Sequence, residues 1–159
     1  MQSINTALLS FGMSGQVFHA PFLSVHSGFN LYGVWERTKN LAQEKYPSIK
    51  TFRSLDELLK DPSIELIVVN TPSVTHYEYA KACLDAGKNV IVEKPFTSTV
   101  QEGEELIKLA KRKNKLLSDP FRDERVLSKS RWPCILPFSP IRAKYRRAAL
   151  WTTRILTHS

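Results

Sequence analysis

The sequence has few cysteines and no long apolar run, and both absences exclude classes of protein. Two cysteines, Cys83 and Cys134, occur in 159 residues, and neither has a paired spacing such as C-x-x-C. We therefore expect reduced thiols, no disulfide framework and no metal site. No apolar stretch reaches the ~18 to 20 residues of a membrane-spanning helix. The start, MQSINTALLS, lacks the basic and apolar regions of a secretory signal. These absences predict a soluble cytoplasmic protein with no membrane partner.

Acidic residues and glycines are scarce near the end of the chain. Residues 1–118 hold 14 Lys and Arg against 12 Asp and Glu, a net charge of +2, and contain all six glycines. Residues 119–159 hold 9 basic and 3 acidic residues, a net charge of +6, together with four of the nine prolines. The shift in composition predicts a globular domain over 1–118 and a divergent basic tail over 119–159.

Apolar, β-branched segments alternate with amphipathic segments up to Ser118. The apolar segments predict buried strands, and the amphipathic ones predict helices of about 10 to 15 residues. This alternation is typical of βαβ units, and it predicts an α/β fold with a doubly wound parallel sheet of the Rossmann type. The predicted strands cover residues 5–11, 30–35, 50–52, 64–70 and 90–92.

The predicted helices carry start and stop signals. Residues 15–25 have apolar residues at helical spacing, although Pro21 should kink or end that helix. Helices are also predicted over 38–46, from Ser54 with Glu57 in a capping box, and over 73–86 before Gly87. Thr97 or Ser98 should cap a last helix, which runs to about residue 113.

Between the first strand and its helix lies S-F-G-M-S-G, residues 10–15. In a G-x-G-x-x-G turn the glycines let the backbone approach a pyrophosphate at a helix N-terminus. Gly12 and Gly15 fill the second and third positions, whereas Ser10 replaces the first glycine. The loop, with Met13 and Ser14, is a candidate phosphate site, and ordinary turn chemistry is the alternative.

Glu36 ends the second strand, 21 residues after Gly15. A carboxylate at this place can accept hydrogen bonds from both ribose hydroxyls of an adenosine. Arg37 and Lys39 could instead hold a 2′-phosphate, or Arg37 could stack on adenine. Because Glu36 would repel that phosphate, NAD is slightly favoured over NADP. The alternative is a solvated, charged helix start.

Four further segments accompany the loop in order: F-H-A-P-F (18–22), N-T-P-S-V-T-H (70–76), A-C-L-D-A-G-K-N-V (82–90) and E-K-P-F (93–96). Together they resemble the glucose-fructose oxidoreductase, inositol dehydrogenase and rhizopine-catabolism family, Gfo/Idh/MocA, over about residues 4–118. The resemblance implies an NAD(P)-dependent oxidoreductase acting on a sugar, cyclitol or related polyol, represented here by its nucleotide-binding domain. A non-catalytic dinucleotide-binding or regulatory module is the alternative.

The resemblance also implies roles for single residues. Lys94 of E-K-P would lie beside the nicotinamide and the substrate as the catalytic group that orients the carbinol oxygen and relays its proton. The bond from Lys94 to Pro95 is expected to be cis. The remaining predicted cofactor contacts are Asn70, Thr71, Pro72, His76, Glu93 and Pro95. For His19, local packing and substrate contact remain equal alternatives.

The chain departs from the family after Ser118. A full member would continue from the K-N-K-L-L-S strand (113–118) into a sixth Rossmann strand and a substrate domain, with a D-x-x-x-H pair that supplies the catalytic base, and none of these continuations is visible. A shifted reading frame or a truncated gene would explain the basic tail. We do not expect nucleic-acid binding, because no known nucleic-acid module surrounds the basic cluster. Substrate and oligomeric state stay open.

Overall fold

The computed structural model describes residues 3–118, which form a six-stranded, wholly parallel sheet. The strand order is β3-β2-β1-β4-β5-β6, which is the order of a Rossmann fold. The predicted fold class is therefore confirmed. The strands are β1 (Ile4–Leu8), β2 (Phe29–Trp35), β3 (Lys50–Phe52), β4 (Leu66–Val69), β5 (Asn89–Val92) and β6 (Leu117–Ser118).

Helices cover both faces of the sheet, which explains why the central strands are apolar throughout. Ile67 and Val69 of β4 pack in one core cluster, and Leu66 and Val68 of the same strand pack in the other. The first cluster includes α3 (Leu55–Lys60), α4 (His76–Asp85) and α5 (Val100–Lys113). The second includes α1 (Ala20–Val25) and α2 (Leu41–Lys45).

Two features of the helices differ in detail from the prediction. The segment 15–25 is divided just before Pro21 into a π-helical turn (Gly15–His19) and α1, and Pro21 lies at the start of α1, where no intrahelical N–H is needed. Helix α5 is capped by Thr99 rather than Thr97 or Ser98. The Thr99 hydroxyl accepts a hydrogen bond from the Glu102 amide at 3.3 Å. The Glu102 carboxylate in turn accepts a hydrogen bond from the Thr99 amide at 3.1 Å.

The strand predicted within K-N-K-L-L-S is confirmed as Leu117–Ser118, which pairs with β5 and is the sixth strand of the described sheet. The further strand of a full family member would fall after residue 118, outside the described residues. Gly87 has a φ of 74°, as a glycine after a helix requires. The predicted tail over 119–159 lies outside the described residues, so the domain boundary stays a prediction. Within residues 3–118, no helix has the length and apolarity to cross a bilayer.

Candidate functional site

The parallel strands bring four sequence-predicted residues to one edge of the sheet. Ser10 follows β1, Glu36 follows β2, Asn70 follows β4 and Glu93 follows β5. Strand order reverses between β1 and β4, and ligands of open α/β sheets bind outside the carboxyl ends of the strands at such a point. The candidate site therefore lies over the ends of β1 and β4.

Asn70 joins the loop after β1 to the end of β4. Its Oδ1 accepts from the Ser10 amide at 3.0 Å, and its Nδ2 donates to the Ser10 carbonyl at 2.8 Å. The same Nδ2 lies 3.4 Å from the Ser14 hydroxyl. Because Asn70 is buried, its side chain satisfies main-chain groups that would otherwise be unpaired. Asn70 thus holds the predicted phosphate loop at the switch point.

The two glycines of the loop differ in what surrounds them. A Cβ at Gly15 would lie 2.5 Å from the Ser10 carbonyl oxygen and 3.1 Å from Asn70 Nδ2, so close packing admits only glycine there. A Cβ at Gly12 would meet nothing nearer than the Ser10 hydroxyl, at 3.4 Å. Gly12 and Met13 are exposed and Ser14 is half-buried. The open side of the loop therefore begins at Gly12.

Ser10 has a role that the comparison with G-x-G-x-x-G did not predict. Its hydroxyl accepts from the Gly12 amide at 3.1 Å. A serine side chain can cross-link a tight turn in this way, as serine and aspartate commonly do in turns. The serine at the first glycine position therefore closes the turn instead of damaging it.

The end of β2 is arranged differently from the sequence-based expectation. Glu36 is only 8% exposed, and its Oε2 accepts from the Ala42 amide in α2 at 3.0 Å. Arg53, which sequence analysis missed, donates to the carbonyls of Glu36 at 2.9 Å and Lys39 at 2.7 Å. Arg37 and Lys39 are exposed on the same loop. Hydrogen bonds from Ala42 and Arg53 thus hold the loop, while the side chains of Arg37 and Lys39 are exposed to solvent.

Residues Thr71 to His76 form the loop and first turn after β4. The Thr75 hydroxyl lies 2.8 Å from the Thr71 hydroxyl and 2.7 Å from the Pro72 carbonyl, and Pro72 itself is exposed. His76 is 1% exposed, and both of its ring nitrogens face main-chain carbonyls. Its predicted contact with the cofactor stays a prediction.

The E-K-P segment lies at the end of β5. The Glu93 amide donates to the Val69 carbonyl at 3.0 Å, which continues the pairing of β5 with β4. The Glu93 carboxylate contacts Nε2 of His19, a histidine that is 5% exposed. Lys94 is exposed, and its bond to Pro95 is cis, as expected. Among residues 3–118, no group of three or more His, Cys, Asp or Glu is placed to hold a metal ion.

Comparison with known proteins decides the family of this site. The model of the oxidoreductase family with an NAD-binding Rossmann fold, Gfo/Idh/MocA, matches residues 4–120. The chain belongs to the Gfo/Idh/MocA family. It therefore carries the NAD-binding Rossmann domain of this oxidoreductase family, and the loop, Asn70 and the E-K-P segment lie at one edge of that domain's sheet.

Relatives in this Gfo/Idh/MocA family agree over the same part of the chain. An uncharacterized oxidoreductase of Schizosaccharomyces pombe is 46% identical over 123 residues, covering 74% of this chain and 33% of its own length. The scyllo-inositol 2-dehydrogenase (NADP(+)) IolW of Bacillus subtilis is 39% identical, with coverage of 74% and 33%. A Bacteroides fragilis protein of solved structure is 58% identical with a TM-score of 0.72, covering 75% of this chain and 36% of that one. The chain thus spans about a third of the length of the curated relatives it matches.

Proposed function

We propose that the chain binds a nicotinamide dinucleotide across the carboxyl edge of its sheet and serves an oxidoreductase acting on a sugar, cyclitol or related polyol. The observation that carries the proposal is the contrast between the two loop glycines. Gly15 is needed for packing, whereas Gly12 has room for a methyl group and so needs no glycine for the fold itself. A side chain at this position would block a ligand that approaches the backbone closely, which would explain why residue 12 is a glycine.

The described residues fit the parts of the dinucleotide. Within residues 10–15, the amides of Ser10 and Gly12 already donate to Asn70 and to the Ser10 hydroxyl, so the amides that follow Gly12 would receive the pyrophosphate, with the side chains of Met13 and Ser14 at the rim. Asn70, Thr71, Pro72, His76, Glu93 and Pro95 form or support the loops beside the nicotinamide end. When bound, the cofactor supplies the hydride acceptor or donor. The Lys94 ammonium would donate a hydrogen bond to the substrate oxygen and stabilise the negative charge that develops on it, and in the direction of carbonyl reduction it would transfer its proton to that oxygen.

The choice between the two dinucleotides rests on the loop after β2. The sequence-based preference for NAD assumed that the Glu36 carboxylate faces the ribose. Glu36 is nearly buried and accepts from the Ala42 amide, whereas Arg37 and Lys39 are exposed. We therefore propose that NADPH binds more tightly than NADH, through Arg37 and Lys39. The relative IolW carries NADP(+) in its name, which agrees with this choice.

Titration of the full chain with NADH and NADPH, followed by the fluorescence of the reduced nicotinamide, tests the proposal. We expect Arg37→Ala and Lys39→Ala each to weaken NADPH by about 5- to 50-fold, as the loss of a charge-assisted phosphate contact of ~1 to 2.3 kcal/mol requires. NADH affinity should stay unchanged. Lys60→Ala, at an exposed lysine of α3, is the matched control. No binding of either dinucleotide contradicts the proposal, and tighter binding of NADH contradicts the choice of NADP.

A non-catalytic dinucleotide-binding module is the second candidate, because the same fold can bind a cofactor without catalysing a reaction. A dehydrogenase assay across polyols separates the two. Hydride transfer that is lost in Lys94→Ala supports the enzyme. Tight cofactor binding without hydride transfer to any polyol supports the module.

A further inference from the structure

Lys94 stands between two residues that are each held by a buried histidine. On its N-terminal side, the Glu93 carboxylate contacts Nε2 of His19. On its C-terminal side, the Pro95 carbonyl lies 2.7 Å from Nδ1 of His76. His19 is 5% exposed and His76 is 1% exposed, while Lys94 itself is exposed. An exposed lysine on a turn held from both sides has fewer positions than one on an ordinary loop.

The two histidines come from the two loops that frame the candidate site. His19 ends the π-helical turn that begins at Gly15, the last glycine of the phosphate loop. His76 is the first residue of α4, directly after the loop that follows β4. The contacts of Glu93 and Pro95 therefore tie the E-K-P turn to both of these loops. A shift of either loop must also shift the turn, unless a histidine contact breaks.

The ring of His76 lies between two main-chain carbonyls. Its Nε2 lies 2.8 Å from the Thr71 carbonyl oxygen, in addition to the contact of Nδ1 with the Pro95 carbonyl. Carbonyl oxygens only accept, and a neutral imidazole has a single N–H. One ring nitrogen donates a hydrogen bond to its carbonyl, and the other lies within contact distance of the second carbonyl. The ring thus lies between the loop after β4 and the E-K-P turn and contacts both.

We propose that His19 and His76 are positioning residues, a two-histidine clamp that fixes Lys94 relative to the phosphate loop and to the loop after β4. The catalytic meaning of the clamp rests on the proposed function of Lys94, but the clamp itself exists without cofactor. A ligand that orders the two loops also orders the turn that carries Lys94. Cofactor binding and the placement of Lys94 are therefore coupled.

Amide hydrogen exchange of the full chain without cofactor tests the clamp. In His19→Ala and His76→Ala, we expect exchange in the segment 93–97 to rise at least 10-fold, with less change over residues 80–85 of α4. His19→Gln keeps a donor for Glu93 and should restore the wild-type rate. His26→Ala is the matched control, because His26 contacts the Gly28 amide in the turn before β2. Equal exchange at 93–97 in all variants, or an equal rise along the whole chain, would overturn the clamp.

One further measurement needs no destabilised variant. Addition of NADPH to the wild type should slow exchange at 93–97. If NADPH does not bind, the proposed function fails while the exchange rates of the variants still decide the clamp. If NADPH binds and leaves that segment unchanged, the coupling is wrong.

Discussion

Replacing each loop glycine by alanine separates the needs of the fold from the needs of the ligand. At Gly12, the added methyl carbon would meet only the Ser10 hydroxyl, at 3.4 Å, in ordinary contact. The backbone there is not among the described positive-φ positions. We therefore expect Gly12→Ala to change the free energy of unfolding by less than about 0.5 kcal/mol, like other surface substitutions.

At Gly15, the same methyl group has no room. It would lie 2.5 Å from the Ser10 carbonyl oxygen, which is main chain and cannot rotate away, and 3.1 Å from Asn70 Nδ2. The loop or the first turn of the helix must shift, which disturbs the bonds between Asn70 and Ser10. Overpacking of this kind typically lowers the free energy of unfolding by about 1 to 3 kcal/mol.

NADPH affinity should fall in both variants, although only Gly15→Ala should lose stability. Gly12→Ala keeps its fold but places a methyl group where the pyrophosphate must approach, so we expect NADPH affinity to fall at least about 10-fold, or ~1.4 kcal/mol. Gly15→Ala should lose both stability and affinity. Urea unfolding followed by circular dichroism gives the first quantity, and fluorescence titration gives the second.

Two outcomes would refute this reasoning. Wild-type affinity for NADPH in Gly12→Ala would mean that the loop does not approach a pyrophosphate. Equal destabilisation by both substitutions would mean that the space at Gly12 is not open in the folded chain. Only an unchanged free energy of unfolding in Gly12→Ala, together with weaker NADPH binding, supports the proposal that a pyrophosphate approaches this loop.

Three other predictions concern the frame around the site. Burial raises the pKa of the Cys83 thiol to about 12. Alkylation at pH 8 should therefore leave Cys83 unmodified until the chain unfolds. Rapid labelling of Cys83 in the native protein, detected by peptide mapping, would contradict its burial. Lys88→Met removes the ammonium that donates to the carbonyls of Asp61 at 2.7 Å and Ile64 at 3.0 Å, which should cost about 1 to 3 kcal/mol in urea unfolding. Burial lowers the pKa of Lys88 below its usual 10.5, so the unfolded chain binds more protons at alkaline pH. The wild type should therefore gain stability from Lys88 as pH rises toward 10.5, and the methionine variant should lack that gain. Thr99→Ala should cost about 1 kcal/mol by removing the cap of α5, whereas Ser98→Ala, beside it, should be neutral, and the reverse order would place the helix start elsewhere.

The order of strands and helices was predictable because it depends on local patterns. Runs such as Leu66–Val69 are buried on both faces, and such runs are recognisable without knowledge of their neighbours. Exact helix starts were less predictable. Thr97, Ser98 and Thr99 are all residue types that cap helices, and only the reciprocal bond with Glu102 identifies Thr99. The effect of Pro21 also depended on where the helical turn before it ends.

The positions of the candidate residues along one edge of the sheet were predictable, but the directions of their side chains were not. Motif spacing placed Glu36 at the end of β2, yet whether its carboxylate faces a ribose or the Ala42 amide depends on how α2 packs. Arg53 was missed because it lies after a different strand and reaches the loop only in the folded chain. No local pattern in the sequence indicates contacts of this kind.

Many polar groups of the motifs are used by the protein itself. The amide of Asn70 binds Ser10, the ring of His76 contacts two carbonyls, and the carboxylate of Glu93 contacts His19. These side chains join segments that follow different strands, so they hold the segments at the carboxyl edge of the sheet in fixed positions relative to one another. In the proposed function, recognition of the dinucleotide is left to main-chain amides, to Arg37 and Lys39, and to Lys94. This division explains how such motifs can indicate a shared cofactor scaffold and carry no information about the substrate.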